Sequence, residues 1–360
     1  MTRSLLIAFT AALALAAATS APGAAQTKLR VGWCAKTVTS AASPFAIANK
    51  MGWFKKAGFE VELVPLAGST DCVRYVGTGE LRYALPSVEP LASFRPQGLL
   101  AKVFYTAYQG NIYGFAVAAD SPIRSLAKDE IKGKRIGVQS MASAGLPVAR
   151  ALVASLGLDP ASDVNIVVVG EGAQATALLR AKQVDLLSLY DVQYALIENA
   201  GLPLRRLPAE AIDRFPSNGF IALDDTLKTH RAEAVALAQG YAKGTIFAID
   251  NPEAAVRILW EEFPQTKSTG KSEDQALKDD VKTLEARIVN WRLQKSGVTR
   301  WGENAMANYD AYLAFLLKQG VIQQKVSASD VVTNDLIADI NDFDPDKVAT
   351  AAEAYGTAAR

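Results

Sequence analysis

Two segments of this chain, residues 61–87 and residues 164–190, repeat one pattern at a constant offset of 103 residues (164 minus 61). Each segment has a run of β-type residues, a glycine-containing turn, a short helix and a second β-type run. The residues before them, 29–33 and 134–138, also resemble each other. A strand–helix–strand unit that occurs twice predicts two similar α/β lobes, each a mainly parallel sheet flanked by helices.

The segment 134–157 indicates where such a lobe would bind a ligand. An apolar strand, Ile136–Val138, leads into a turn that contains Ser140 and Ser143, and an amphipathic helix follows. The first N–H groups of that helix lack acceptors, so the turn is typical of a site for a carboxylate, sulfonate or phosphate. The other interpretation is that one serine caps the helix. Ligands of open α/β sheets lie beyond the carboxyl ends of the strands, so facing lobes would line one cleft with these turns.

The first 25 residues have the features of a secretory signal peptide. Arg3 precedes an apolar run from Leu5 to Ala18, and the small residues Gly23-Ala24-Ala25 suit cleavage. A retained N-terminal helix is the alternative. No later segment is apolar for long enough to span a bilayer, so the sequence predicts an exported, soluble protein without an anchor.

The net charge argues against some classes of partner, and the chain length supports two lobes. Cleavage would remove Arg3 and leave 37 basic residues (38 minus 1) against 37 acidic residues. A neutral chain without a basic run is a poor match for nucleic acid or an anionic membrane. The mature chain of about 335 residues exceeds what one hydrophobic core usually serves, which again predicts two lobes. We expect a monomer.

The chain has two cysteines, Cys34 and Cys72. Cys34 ends the first predicted strand, and Cys72 opens the helix after the second. Adjacent parallel strands bring such positions close together, and paired cysteines in an oxidising compartment are usually bridged. The sequence therefore predicts a disulfide that ties two cleft-lining turns together, with two separate buried thiols as the alternative.

Two extended segments, Ile112–Ala119 and Phe220–Leu223, are predicted to cross between the lobes. Lobe 1 would comprise residues 26–116 plus 222–360, and lobe 2 residues 117–221. A single helix is predicted over residues 44–56. Four long amphipathic helices are expected to wrap lobe 1, at residues 232–250, 251–263, 273–294 and 303–319.

Aromatic residues stand where the cleft is expected. Trp33 lies at the end of the first strand, where it would either wall an organic ligand or cover the core of the lobe. Tyr105, Tyr108 and Tyr113 suggest an aromatic rim, and alternation on a half-buried strand would explain at least one of them.

Several segments carry a family resemblance, and they are spread over the mature chain: MGWFKKAGFEVELVPLAGSTD from Met51, LRYALPS from Leu81, DEIKGKRIGVQ from Asp129, GLDPASDVNIVVVG from Gly157, QVDLLSLYD from Gln183, AIDNPEAAVRILWEEFP from Ala248 and VVTNDLIADINDFD from Val331. In this order and spacing, the chain resembles the solute-binding proteins of ABC importers of the nitrate, sulfonate and taurine group, which includes the NMT1/THI5-like thiamine-precursor binders.

The resemblance implies a two-lobe periplasmic-binding-protein fold (type II) that closes on its ligand by hinge motion. It implies a periplasmic protein that hands a small organic ligand to an ABC permease with a separate ATPase, without a cofactor or metal. The positions that match the family's ligand loops are Trp33, Ser69, Thr70, Ser87, Tyr113, Ser140, Ser143, Tyr190, Asp191 and Asn218. Ser69, Thr70, Ser140 and Ser143 would hold the anionic or carbonyl end, and the three aromatic residues would enclose the organic body.

One loop departs from part of this family. Relatives that bind pyrimidines carry an aspartate, a Trp-Phe pair and an Asn-Pro turn after the first strand, where this chain has Trp33-Cys34-Ala35-Lys36-Thr37. No arginine occupies a loop position that would fork a sulfonate or carboxylate, and Lys36 is the nearest candidate cation. The aromatic loops favour an organic anion, a sulfonate or an aromatic or aliphatic carboxylate, over nitrate.

Three other functions stay open: a thiamine-precursor binder, a synthase-like enzyme of the same fold, and a periplasmic ligand sensor. The lone histidine, His230, stands in a charged helix start away from the loops, and no CxxC, HExxH, GxSxG or Walker sequence occurs. Glu171, Asp185 and Asp191 lie near strand ends, where capping and solvation explain them better than catalysis. We therefore expect a binding protein and not an enzyme.

Overall fold

A computed structural model describes residues 27–356, and the predicted signal peptide, residues 1–25, lies outside this range. The described residues form these strands: β1 (Thr27–Trp33), β2 (Phe59–Pro65), β3 (Tyr83–Ala84), β4 (Ala101–Thr106), β5 (Tyr113–Ala118), β6 (Arg135–Val138), β7 (Asn165–Val168), β8 (Leu186–Tyr190), β9 (Leu204–Leu207) and β10 (Gly219–Leu223).

The same residues form the following α-helices, several of them a single turn: α1 (Ser43–Lys50), α2 (Trp53–Lys56), α3 (Ser69–Gly77), α4 (Val88–Phe94), α5 (Lys128–Ile131), α6 (Gly145–Ser155), α7 (Ala173–Arg180), α8 (Asp191–Asn199), α9 (Asp224–Thr229), α10 (Arg231–Asp250), α11 (Pro252–Glu262), α12 (Glu273–Trp291), α13 (Met306–Lys318), α14 (Ala328–Val331), α15 (Ile337–Ile340) and α16 (Pro345–Ala354).

The strands form two five-stranded sheets, with the orders β2-β1-β3-β10-β4 and β7-β6-β8-β5-β9. In the first sheet β1 pairs in parallel with β2 and β3, and β10 is antiparallel to both of its neighbours. In the second sheet β6 pairs in parallel with β7 and β8, and β5 is the reversed strand. Each sheet is therefore mixed but mainly parallel, which confirms the predicted α/β fold.

The internal repeat is visible in this topology. The offset of 103 residues makes β2, α3 and β3 correspond to β7, α7 and β8. The corresponding strands hold equivalent positions in the two sheet orders. The chain changes sheets twice, from β4 of the first sheet to β5 of the second and from β9 of the second sheet to β10 of the first. The strand that it enters, β5 or β10, is the reversed strand of its sheet. Both predicted lobe boundaries, after 116 and after 221, fall inside these strands. We therefore propose that residues 107–112 and 208–218 are the two crossings.

Local sequence signals set some of the helix ends. Asn251 accepts a hydrogen bond from the Ala254 N–H at the start of α11, and Ser272 accepts one from the Gln275 N–H at the start of α12. The helix predicted over residues 44–56 is instead two helices. Gly52 adopts a left-handed conformation with a φ of 69°, which ends α1 and starts α2 in a new direction.

The sequence predicted that helix α12 wraps lobe 1 alone, but the helix contacts both lobes. It packs against α11 of lobe 1 and also against α8 of lobe 2. The Asn199 Nδ2 atom on α8 donates hydrogen bonds to the Asp279 carbonyl at 2.8 Å and to Thr283 Oγ1 at 3.1 Å. Helix α12 therefore closes one side of the space between the sheets.

The predicted disulfide between Cys34 and Cys72 is confirmed, with the two Cα atoms 5.8 Å apart. It joins the end of β1 to the first turn of α3. Within residues 27–356, no helix combines the length and the hydrophobicity that a bilayer-spanning segment needs.

Candidate functional site

A small cavity, of about 30 Å³, lies between the two sheets, at the carboxyl ends of β1 and β8. This is the edge at which open α/β sheets bind ligands. We call it the inner cavity, and its lining residues are Trp33, Cys34, Ala35, Thr39, Ala41, Leu85, Tyr108, Ile112, Tyr113, Tyr190, Val192, Asn218 and Arg287. Most of these side chains are apolar or aromatic, as is typical of a site for a small organic molecule.

Four of the ten predicted ligand residues line the inner cavity: Trp33, Tyr113, Tyr190 and Asn218. Trp33 Nε1 donates to the Thr37 carbonyl at 2.8 Å, and Asn218 Nδ2 donates to the Leu85 carbonyl at 2.8 Å. The rings of Tyr113 and Tyr190 pack edge to face, with centroids 6.0 Å apart. The side chains of this wall are therefore oriented by the protein itself, which is what a preformed site requires.

Five other predicted residues lie outside the lining of the inner cavity, and all carry hydroxyl groups: Ser69, Thr70, Ser87, Ser140 and Ser143. Ser69 Oγ accepts from the Ser87 N–H at 3.1 Å, and Ser140 Oγ donates to the Ala67 carbonyl at 2.7 Å. Ser143 Oγ donates to the Ser140 carbonyl at 2.8 Å, and no side chain caps the start of α6. Ser69 and Ser140 thus join turns to one another, whereas Ser87 Oγ has no hydrogen-bond partner among the described residues.

The turns that contain these hydroxyl residues meet across the cleft. The Thr70 N–H of lobe 1 donates to the Ala142 carbonyl of lobe 2 at 3.0 Å. A Cβ atom at Gly68 would lie 2.4 Å from the Ala142 oxygen, so only a glycine permits this approach. The expectation that residues 68–70 and 139–145 face each other is confirmed, and the lobes are closed at this point.

A second contact between the lobes involves Glu171, in the turn before α7. Its carboxylate accepts hydrogen bonds from the backbone N–H groups of Lys36 at 3.0 Å and Thr37 at 3.1 Å. The Thr37 hydroxyl and the Gln139 amide also donate to it. We call this contact the Glu171 bridge. It holds the loop after β1, and with it Trp33, against lobe 2.

Arg287 on α12 supplies the cation of the site. Its Nε atom lies 2.9 Å from Asp191 Oδ2 and its Nη2 atom lies 2.6 Å from Asp191 Oδ1, while Asn290 Nδ2 donates to the same carboxylate at 3.0 Å. The Arg287 side chain is only 2% exposed. Burial alone would lower the pKa of Arg287, but Asp191 raises it, so the guanidinium stays charged.

One side of this guanidinium faces the inner cavity. Arg287 lines the cavity, and its Nη1 atom takes no part in the ion pair, because only Nε and Nη2 donate to Asp191. The Tyr108 hydroxyl is a neighbour of the same guanidinium. The guanidinium carbon lies 4.0 Å from the centroid of the Tyr108 ring, which fixes its plane. Burial raises the pKa of Tyr108 and Tyr190, so both hydroxyls stay neutral. An N–H donor that lies outside the ion pair, on a buried cation next to aromatic faces, suits an oxygen of an organic anion.

The remaining candidates lie elsewhere. Asp191 is paired to Arg287 and lines a neighbouring groove behind the inner cavity. Lys36, the cation expected from the sequence, is exposed and lies outside the lining of the inner cavity. His230 is exposed between α9 and α10 of lobe 1.

Sequence reasoning missed Arg287 because α12 reads as an ordinary amphipathic helix. Its buried face nevertheless includes Asp280, Thr283 and Arg287 among apolar residues. Charged residues are almost never fully buried unless they are paired or functional. The signal was therefore present, as two charges at helical spacing on the apolar stripe of α12.

Comparison with protein families gives a match to the model described as NMT1/THI5 like, over residues 40–255. This match covers more than half of the chain and includes every strand of the two sheets except β1. No curated protein matches the chain.

Many solved structures share the fold. The alkanesulfonate-binding protein SsuA from Xanthomonas axonopodis pv. citri, bound to MOPS, is 15% identical, with a TM-score of 0.64 over 85% of this chain and 98% of that chain. The periplasmic nitrate-binding protein NrtA from Synechocystis PCC 6803 is 14% identical, with a TM-score of 0.60 over 91% and 98%. A DszB mutant in complex with biphenyl-2-sulfinic acid is 16% identical, with a TM-score of 0.54 over 88% and 99%. At these identities the likeness establishes the fold.

Proposed function

Because this chain belongs to the NMT1/THI5-like family and has the periplasmic-binding-protein fold, we propose that it is the solute-binding component of an ABC importer. It captures a small organic anion, a sulfonate or a carboxylate, between its two lobes by hinge closure. It then delivers this ligand to a membrane permease that a separate ATPase drives. The predicted signal peptide places this activity in the periplasm, where the chain acts as a monomer.

The observation that carries the proposal is the Nη1 donor of Arg287, which lies outside the ion pair with Asp191, in a cavity with aromatic walls. A charge-assisted hydrogen bond from a buried guanidinium is stronger than one between neutral groups. Asp191 balances the charge of Arg287, so the pocket favours a ligand with one anionic group over a multiply charged one. Trp33, Tyr113 and Tyr190 offer faces for an apolar body.

The relatives differ in what they bind, and the cavity favours one kind of ligand. The Xanthomonas protein is an alkanesulfonate-binding protein and the Synechocystis protein is a nitrate-binding protein. The lining of this inner cavity has nine apolar or aromatic residues, namely Trp33, Ala35, Ala41, Leu85, Tyr108, Ile112, Tyr113, Tyr190 and Val192. Nitrate has no apolar surface to bury against these walls, whereas the hydrocarbon part of an organic anion would remove them from water.

A thermal-shift screen tests the proposal, with alkanesulfonates, aromatic and aliphatic carboxylates, nitrate and pyrimidines as probes. A ligand at a hundredfold excess over its Kd should add about 2.7 kcal/mol to the free energy of unfolding. We expect organic sulfonates or carboxylates to give the largest shift and to be recovered unchanged. Conversion of the probe would indicate an enzyme, and stabilisation by pyrimidines alone would indicate a thiamine-precursor binder.

The variant Trp33→Ala tests whether the ligand binds in the inner cavity. Trp33→Ala removes one wall and should weaken the best probe at least tenfold in calorimetry, because a buried indole contributes a large contact area. Trp53→Ala is the control, since Trp53 packs on the same core outside the lining of the inner cavity. Equal affinity of wild type and Trp33→Ala would contradict this placement of the ligand.

A further inference from the structure

A second and larger cavity, of about 270 Å³, adjoins the inner cavity on the side of α12. We call it the outer cavity, and the two share Thr39 in their linings. Its lining is largely polar and consists of Thr37, Val38, Thr39, Ser40, Glu171, Gly172, Ala173, Gln193, Leu196, Gln265, Thr266, Ser268, Asp280 and Thr283. None of these lining residues is basic, and two are carboxylates.

The two carboxylates have different surroundings. Glu171 already accepts four hydrogen bonds in the Glu171 bridge. Asp280 is 7% exposed, and its Oδ2 atom accepts one hydrogen bond, from Trp260 Nε1 at 2.8 Å. No donor and no cation among the described residues reaches its Oδ1 atom. Lys271 and Lys267, which are nearby on the same side, pair with Asp279 and Glu273 instead.

Two hydroxyls of the same cavity also lack partners. Thr39 Oγ1 and Ser40 Oγ make no hydrogen bond, and their residues are only 9% and 5% exposed. Buried polar groups are normally satisfied, and an unsatisfied one costs roughly 1–3 kcal/mol. A buried carboxylate with one donor costs more, and burial raises the pKa of Asp280 accordingly. The outer cavity therefore has acceptors that the protein itself does not satisfy.

Helix α12 joins the two cavities. Asp280, Thr283 and Arg287 lie on its buried face at i, i+3 and i+7, so their side chains project to the same side. Seven residues of α-helix rise about 10 Å. The helix thus presents an unpaired carboxylate oxygen toward the outer cavity and, toward the inner cavity, a guanidinium donor that lies outside the ion pair.

We propose that Asp280 recognises a protonated amine of the ligand, and that the ligand is an elongated molecule with an acid at one end and an ammonium group at the other. This inference rests on the proposed function, because it takes the acid to lie at Arg287. The ammonium group donates to Asp280 Oδ1 and to the oxygens of Thr39 and Ser40. It therefore satisfies the acceptors that are unpartnered in the protein alone.

Isosteric probes test the inference on the unmodified protein. The acids 4-(aminomethyl)benzoate and 4-(2-aminoethyl)benzoate are compared by calorimetry with 4-ethylbenzoate and 4-propylbenzoate, in which a methyl group replaces the ammonium group. The corresponding sulfonates are used if the screen selects sulfonates. We expect at least one amine-bearing acid to bind at least tenfold more tightly than its isostere. Equal or weaker binding of both amines overturns the inference but leaves the proposed function intact, whereas no binding by any acid overturns both.

The variant Asp280→Asn keeps an acceptor for Trp260 and removes the charge. We expect it to abolish the preference for the amine, so that each amine-bearing acid and its isostere bind the variant with affinities within threefold of each other. Glu285→Gln removes an exposed carboxylate from the same helix and should keep the preference. If Asp280→Asn folds and retains the tenfold preference, Asp280 is not the recognition residue. If it does not fold, the comparison on the unmodified protein still decides the ligand class.

Discussion

At the scale of single residues, the site depends on charges that the fold buries in pairs. Arg287 is nearly inaccessible, yet it keeps its charge because Asp191 accepts from its Nε and Nη2 atoms, and Asn290 donates to the same carboxylate. Removing one partner of such a pair leaves an uncompensated buried charge, which costs more than the pair itself contributes. The geometry also leaves Nη1 outside the ion pair, so the same arrangement that stabilises the cation orients it toward the inner cavity.

The first prediction concerns Asp191. Asp191→Asn should lower the free energy of unfolding by about 3–5 kcal/mol, because it leaves Arg287 buried without a counter-charge. Asp185→Asn is a matched control, since Asp185 pairs with Arg135 at the surface, where the pair contributes about 1 kcal/mol or less. Urea denaturation measures both variants. Similar losses for the two would show that burial of the Asp191 pair is not decisive.

The second prediction concerns Glu89, a buried carboxyl on α4 that accepts a hydrogen bond from the Tyr312 hydroxyl. Burial raises the pKa of Glu89 above its usual range, although the Tyr312 hydrogen bond opposes the shift. The stability linked to its proton is therefore fully present below the unfolded-state pKa, about 4.3, and is lost as pH rises through the folded-state value.

Glu89→Gln stays neutral at every pH and keeps an acceptor for Tyr312. Its melting temperature should match that of the wild type near pH 4 and exceed it increasingly toward pH 8. The exposed substitution Glu285→Gln serves as the control with the same charge change. A constant difference between Glu89→Gln and the wild type across this pH range would contradict a raised pKa.

At the scale of elements, the cleft is formed by turns and by one helix, α12, that contacts both lobes. The turns before α3 and α6 meet through backbone groups, and the turn before α7 contacts lobe 1 through the Glu171 carboxylate. Helix α12 packs on α11 of one lobe and α8 of the other, so it is positioned to follow both. The strands only place these segments, which is why loops and helix ends carry the contacts of the site.

The third prediction concerns the Glu171 bridge. Glu171→Gln puts an amide opposite the N–H groups of Lys36 and Thr37, which removes charge-assisted hydrogen bonds from the closed form. We expect ligand affinity to fall about 5- to 30-fold, which corresponds to roughly 1–2 kcal/mol, mainly through faster dissociation. Stopped-flow fluorescence measures the rates. Glu210→Gln, an exposed change in the segment before β10, should leave them unaltered.

At the scale of the whole molecule, two sheets of similar topology face each other across the inner cavity, and two crossings join them. The Cys34–Cys72 bridge ties β1 to α3 within lobe 1 and thus holds the wall that carries Trp33. Closure requires the backbones of the facing turns to approach closely, and Gly68 is the point at which no side chain can be tolerated. Closure should therefore be separable from folding.

The fourth prediction concerns Gly68 and separates closure of the lobes from folding. Gly68 has an extended backbone, with a φ of 164°, so Gly68→Ala should fold normally within lobe 1. Its Cβ would lie 2.4 Å from the Ala142 oxygen, so the lobes should stay apart. We expect a larger radius of gyration by small-angle scattering and at least tenfold weaker ligand binding.

Gly114→Ala is the control for this prediction, because a Cβ there meets nothing within 4 Å. It should leave scattering and affinity unchanged. If Gly68→Ala instead lowers the free energy of unfolding by several kcal/mol, the glycine serves the fold of the lobe and not its closure.

The sequence alone determined the α/β class, the duplicated lobes, the Cys34–Cys72 pair and the facing turns, because local periodicity and an internal repeat specify strands, helices and topology. It also placed Trp33, Tyr113, Tyr190 and Asn218 at the cleft, since each lies at a strand end or next to a crossing. Only the tertiary structure decided that Ser69 and Ser140 join turns and that Arg287 and Asp280 face the cavities. Those contacts link α12 to residues far away in the chain, and helical periodicity says which face is buried but not what that face meets.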